Sequence, residues 1–191
     1  MSEKTSGLGE SVKNGIVGAI KGGGDVTAAT VDVVSDTMAT ALKGAGKVGA
    51  SATEAIGDIA GGAVRGARSI GGDIAEASRG VVIGVLRGSR QVGVEATTTI
   101  GETSSAVIKS TAAVGGELGH AAVGLVEGAI HSAKGIGVSA EDAASAAAQG
   151  ALKAADKVGG SALSTVRNAL TRGIAGVKVV LKEPFHREER R

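Results

Sequence analysis

Aliphatic residues recur every 22 positions along almost the whole chain, and this period constrains the fold more than any other feature. Internal periods of this length are typical of repeat architectures. The repeats occupy residues 4–179, after an N-terminal tip at 1–3 and before a charged tail at 180–191. One column, called here the lumen column, consists of Val26, Val48, Ile70, Val92, Val114, Ile136 and Val158. A second, the knob column, consists of Ile20, Leu42, Val64, Leu86, Ile108, Ile130, Leu152 and Ile174.

The period favours α-helix, because eleven residues fit three helical turns and 22 is twice eleven. On a wheel of that pitch the aliphatic columns share an arc of a little under half the circumference. A charged face lies opposite, and it consists of Glu10, Lys21, Asp32, Lys43, Glu54, Arg65, Glu76, Arg87, Lys109, Asp142 and Lys153. The prediction is an all-α chain forming one very long amphipathic helix of eight repeats, roughly 260 Å in length. Copies of it would assemble as a right-handed or nearly straight coiled coil or a multi-helix barrel. A turn at Gly22-Gly23-Gly24 is a possible single break, and a parallel β-helix is the alternative fold.

Small residues border the apolar arc, and these positions are predicted to form helix–helix interfaces: Gly18, Gly22, Gly44, Gly62, Gly66, Gly84, Gly88, Gly128, Gly150 and Gly176. Glycine inside a helix costs about 0.8–1.0 kcal/mol relative to alanine. With 33 glycines in the chain, the handicap is on the order of 30 kcal/mol. We therefore expect the chain to become helical only when something covers its apolar arc. Glycine has a compensating use, because two backbones can approach closely where no Cβ intervenes.

Composition argues against several classes of function. Phe185 is the sole aromatic residue, there is no cysteine, and the net charge is +2. Nucleic-acid binders usually combine a clustered basic excess with stacking aromatics, so no nucleic-acid partner is expected. The longest run without a charged residue, 143–152, is too short to span a bilayer. The N-terminus lacks the pattern of a signal peptide, so the expected location is cytoplasmic, with membrane or lipid association as an open alternative.

No pattern typical of catalysis is present, and the prediction is that the chain is not an enzyme. His120 and His131 are separated by three helical turns, about 16 Å, which is too far to share a metal ion within one helix. Neither a phosphate-binding loop nor a nucleophile elbow occurs. No catalytic residue, metal site, cofactor or small-molecule substrate is therefore expected, and bound lipid is the one candidate ligand.

The repeats resemble two groups of helical proteins. Motifs such as Val114-Gly115-Gly116 and Gly124-Leu125-Val126-Glu127-Gly128 lie within a pattern similar to that of hendecad-repeat coiled coils. More loosely, they resemble the eleven-residue repeats of synucleins, late-embryogenesis-abundant proteins and exchangeable apolipoproteins. These resemblances imply either helical self-association or folding on lipid.

Two functions follow as expectations. In the first, the chain is a structural protein whose parallel copies form a tube or bundle with an apolar interior able to enclose lipid. The chain itself, in many copies, is then the main partner. In the second, the amphipathic helix coats a membrane, droplet or granule. A disordered, desiccation-protective chain is a further alternative. Beyond Pro184 the tail is interpreted as a solubilising cap or, alternatively, as a docking peptide centred on Phe185.

Overall fold

The computed structural model describes residues 3–44, 49–90, 95–172 and 174. Within these ranges the chain forms eight α-helices, and the prediction of one very long helix is wrong. The helices are α1 (Glu3–Lys21), α2 (Val26–Gly44), α3 (Gly49–Ser69), α4 (Ile74–Ser89), α5 (Ala96–Ala113), α6 (Leu118–Ile136), α7 (Ala140–Val158) and α8 (Gly160–Leu170). One 22-residue repeat therefore corresponds to one helix and the connection that follows it, not to six helical turns of a continuous helix. The chain turns at Gly22-Gly23-Gly24, but this is one break among several.

The turn between α3 and α4 shows why the helices end where they do. Gly71 has a φ of 67°, in the left-handed region that favours glycine. The Gly72 N–H donates to the Ala67 carbonyl at 2.8 Å, and the Gly71 N–H donates to the Arg68 carbonyl at 3.2 Å. This pair of hydrogen bonds is a Schellman motif, which satisfies the last carbonyls of a helix. Asp73 then begins α4 by accepting hydrogen bonds from the Ala75 and Glu76 N–H groups.

The same stop and start signals recur along the chain. Four described turns have a glycine with positive φ, followed two positions later by Asp, Glu or Ser immediately before the next helix: Gly23 and Asp25, Gly71 and Asp73, Gly115 and Glu117, Gly137 and Ser139. Side chains cap the helix start at three of these turns, those with Asp25, Asp73 and Ser139. A glycine in such a turn carries no helix-interior cost, so the handicap expected from the sequence was too large.

The helices are arranged in two layers. The four most extensive contacts join helices two apart in the sequence: α2 with α4, α4 with α6, α5 with α7 and α1 with α3. Thus α1, α3, α5 and α7 form one layer, and α2, α4, α6 and α8 form the other. Helices within a layer are parallel, since Thr53 and Gly61 of α3 lie against Glu102 and Ser110 of α5, each 49 residues later. Two-helix units stacked in this way form an α-solenoid.

The core lies between the layers and is thin. Its largest fully buried side chains include Ile16, Met38, Ile59, Ile100 and Leu125. The buried face of α7, in contrast, consists almost entirely of alanine and glycine. The apolar arc of each helix is thus covered by neighbouring helices of the same chain, not by the other molecule that the sequence analysis expected.

A substitution at a turn distinguishes this fold from a continuous helix. We expect Gly71→Ala to lower the free energy of unfolding by about 1–2 kcal/mol, because alanine is strained at positive φ. Thermal unfolding followed by far-UV circular dichroism measures the change. Gly18→Ala is the matched control: Gly18 lies inside α1 with open space at its Cβ position, so alanine should stabilise by about 1 kcal/mol. Equal stabilisation by both variants would contradict the turn.

Candidate binding surface

Glycines set the spacing of helices within each layer. A Cβ on Gly62 of α3 would collide with the backbone of Gly9 in α1, and one on Gly150 of α7 would collide with the backbone of Gly101 in α5. In the other layer, a Cβ on Gly84 would lie 2.8 Å from Val34 Cβ. Contacts this close are available only to glycine, so these residues hold neighbouring parallel helices at short range.

α5 departs from this rule on the side that faces α3. Ala106 and Ser110 occupy the columns that hold Gly62 and Gly66 in α3. Gly57 of α3 lies opposite Ala106. A Cβ atom built on Gly57 would have no atom of a neighbouring helix within 4 Å. The close backbone contacts that Gly62 makes between α3 and α1, and Gly150 between α7 and α5, therefore have no counterpart at Ala106 between α5 and α3.

A depression of about 800 Å³ follows this opening and continues toward α7. We call it the α5 depression. Its floor is the outward face of α5 over 97–110, and its walls are α3 at Thr53 and Gly57 and α7 over 146–157. Hydroxyl groups, glycine and alanine dominate this lining, so the surface suits polar contacts and close backbone approach more than burial of large apolar groups.

The charges of the α5 depression are uneven along its length. Lys109, Lys153 and Lys157 lie at the end nearer the C-termini of α5 and α7, and all three are exposed. Glu102 is the one acidic residue of the lining, and its carboxylate accepts a hydrogen bond from Thr53 Oγ1 at 3.2 Å. Thr98 also lines the depression and stands in the column that holds Glu54 in α3 and Asp142 in α7. The depression is consequently more basic than the rest of this layer.

The predicted interface residues meet within one chain. Val64, Leu86, Ile108, Leu152 and Ile174 of the knob column are buried, and Ile20, Leu42 and Ile130 are half-buried against the same core. Among the small residues, Gly62, Gly66, Gly84, Gly88, Gly128 and Gly150 contact a neighbouring helix. Gly18 has open space, Gly22 lies beside its own turn, Gly44 ends α2, and Gly176 is outside the described residues.

The two remaining sets lie at helix ends and on the outer surface. In the lumen column Val26, Ile70, Val114 and Ile136 are half-buried and Val158 is 46% exposed, while Val48 and Val92 are outside the described residues. Its five described members lie at or beside helix ends. Every residue of the predicted charged face is exposed. The tail, with Phe185, lies outside the described ranges.

Three carboxyl groups have shifted pKa values with clear physical causes. The Glu10 carboxylate accepts a hydrogen bond from the Lys13 ammonium, which lowers the pKa of Glu10. Burial raises the pKa of Asp58 in α3, and the nearby Glu54 carboxylate raises it further, while Arg65 opposes both effects. Hydrogen bonds from Thr97 and Thr98 lower the pKa of Glu95 to about 2, because they stabilise the charged carboxylate that caps α5. All three shifts therefore have structural explanations, in an ion pair, in helix packing and in helix capping.

Neither a metal-binding cluster nor a membrane-spanning helix occurs in the part of the chain that the structure describes. Across 3–44, 49–90, 95–172 and 174, no group of three or more His, Asp or Glu side chains could hold a metal ion. Within the same ranges no helix has both the length and the apolar character needed to cross a membrane.

Comparison with known proteins identifies no family. No protein-family model matches the chain, and no curated protein is significantly similar to it.

Apart from the possible break at Gly22-Gly23-Gly24, the turns were not predicted from the sequence, and neither was the α5 depression. Signals for each were nevertheless present. The glycine after most lumen-column residues, with Asp, Glu or Ser two positions later, is a helix stop and start signal. For the depression, the signal in the sequence was that three residues of its lining each differ from the residue type of their column: Thr98, Ala106 and Ser110. Only the layer arrangement shows that these three departures lie on one surface.

Proposed function

We propose that this chain is a non-catalytic helical-repeat scaffold that folds on its own and recognises another polypeptide across the α5 depression. The observation that carries the proposal is that α5 departs from the repeat in three columns at once, at Thr98, Ala106 and Ser110, and that all three residues line the α5 depression. Elsewhere in its layer, glycines close the gap between neighbours, whereas here Ala106, Ser110 and Thr98 leave a polar opening. Solenoids commonly bind partners across extended surfaces of this kind.

Folding without a partner is supported by the location of the apolar residues. The knob column, which would have driven assembly of separate chains, is buried or half-buried inside one chain. Among the described residues, Val158 is the one large apolar side chain that is exposed. Little apolar surface is thus left for an amphipathic coat on lipid or for a tube of many copies.

The N-terminal end of the solenoid is also unsuited to further stacking. Gly23 in the turn after α1 is equivalent to Gly71 in the turn after α3, and the two glycines are 48 residues apart. With the same offset, Asn14 in α1 corresponds in structure to Gly62 in α3, and Asp36 in α2 corresponds to Gly84 in α4. Both Asn14 and Asp36 are exposed. A further helix could not approach their backbones as closely as α3 and α4 approach α1 and α2, and polar end faces of this kind cap repeat arrays.

The absence of catalysis is part of the proposal and rests on how the polar groups are distributed. Successive repeats present similar charged positions, all on the outer surface. General acid–base catalysis needs groups with tuned pKa values within reach of one another and of a substrate. The three carboxyl groups with shifted pKa values, Glu10, Asp58 and Glu95, lie in or beside different helices, and none of them lines the α5 depression.

Sedimentation velocity and far-UV circular dichroism of delipidated protein, over a hundredfold range of concentration, test this proposal. We expect the mass of one chain throughout, with strong helical ellipticity that does not change when vesicles of phosphatidylcholine and phosphatidylglycerol are added. A discrete large oligomer would instead support self-assembly. A chain that becomes helical only on vesicles would support the lipid coat.

A further inference from the structure

We propose that the α5 depression binds an extended acidic segment of another protein, an inference that rests on the proposed function. Lys109 and Lys153 are 44 residues apart and occupy the same repeat position on the parallel neighbours α5 and α7. Lys157 follows one helical turn later. Three ammonium groups consequently stand at one end of a single polar opening.

The positive charge at this end is not neutralised by ion pairs of the described residues. Two ion pairs occur in those ranges, Lys13 with Glu10 and Arg87 with Asp32, and His120 contacts Glu117. None of these contacts involves a lysine of the depression. Asp156 is exposed on α7 but does not belong to the lining. Glu102 is engaged by Thr53 near the opposite end. Carboxylates of a partner are the groups that would complement the three lysines.

The dimensions and the lining favour a polypeptide. Residues 97–110 of α5 extend about 20 Å along the helix, which matches about six residues of an extended chain. Hydroxyl groups of Thr98, Ser105 and Ser110, together with the Gln149 amide, can exchange hydrogen bonds with a peptide backbone. Small side chains such as Ala106 and Ala146 let that backbone approach closely.

Nucleic acid and lipid fit this surface less well. Bases bound without sequence preference usually stack on aromatic side chains, and the chain's sole aromatic, Phe185, does not line the depression. Lipid surfaces require exposed large apolar side chains, and the lining has none. A net charge of +2 for the whole chain also makes general polyanion binding weak.

The test is fluorescence anisotropy of a labelled, end-blocked hexaglutamate peptide with the full chain at low ionic strength. We expect saturable binding to the wild type and a loss of affinity of at least about tenfold in Lys109→Glu/Lys153→Glu, since like charges then oppose the peptide. The matched control is Lys43→Glu/Lys134→Glu, which makes the same change of net charge at two exposed lysines of the other layer. It should change affinity by less than about threefold if charge acts locally.

A second variant separates docking from diffuse attraction without any change of charge. Gly57→Leu places a side chain in open space within the depression, and we expect it to weaken binding about tenfold or more while leaving the helical ellipticity unchanged. Equal losses in both double variants, an intact affinity in Gly57→Leu, or no binding to the wild type would overturn the proposal. Tighter binding of a single-stranded oligonucleotide than of the peptide would also overturn it. A monomeric helical chain that fails to bind hexaglutamate would refute the acidic partner and leave the scaffold standing.

Discussion

Gly124→Ala is expected to lower the free energy of unfolding by about 3 kcal/mol, although alanine is the better helix former. Gly124 lies in α6 where that helix crosses the first turn of α4. A Cβ at this position would collide with the Ala75 carbonyl oxygen, and it would lie 2.8 Å from the carbonyl carbon and 2.9 Å from the Cα of Ala75. All three are backbone atoms, so no side-chain rotation can relieve the contact and the two helices must separate.

Urea denaturation followed by far-UV circular dichroism measures this change, and a fall in Tm of about 6–12 °C should accompany it. Gly57→Ala is the matched control, since Gly57 is also inside a helix but has open space at its Cβ position. Removing glycine there should raise stability by about 1 kcal/mol. Stabilisation by both substitutions would show that glycines do not set the helix spacing.

Ile108→Ala should lower the free energy of unfolding by about 2–5 kcal/mol, because it leaves a cavity in the core. The Ile108 side chain is fully buried in α5, among helices of the same chain. The loss should therefore be the same at every protein concentration. Had the knob column packed between separate chains, the stability of wild type and variant would both rise with concentration by mass action.

Equilibrium unfolding in urea at several protein concentrations, with sedimentation on the same samples, makes this measurement. Ile130→Ala serves as the control from the same column, since Ile130 is only half-buried and should cost less than Ile108→Ala. A destabilisation that disappears at high concentration would refute intrachain packing of the knob column.

The site could be predicted in part. The repeat assigned Lys109 and Lys153 to a charged face, and both are exposed on the outer surface. Their position beside each other could not be predicted, because it depends on α7 lying next to α5 and not beyond it along a continuous axis. In the sequence, Ala106 departs from a column that is mostly glycine. Its effect on helix spacing could not be predicted, because that effect depends on Gly57, which lies opposite Ala106 on α3.

By itself, the sequence determined that the chain is helical, which arc of each helix is apolar and which residues face away from it. A period of 22 residues is compatible both with six turns of a continuous helix and with one helix followed by a turn. Local signals for the turn, such as Gly71 followed by Asp73, were present but each changes the energy by only about 1–2 kcal/mol. The tertiary structure decided between the two forms, because folding back lets each apolar arc be covered by the same chain. That gain comes from contacts between residues about 49 positions apart, and a periodic pattern read along one chain does not contain them.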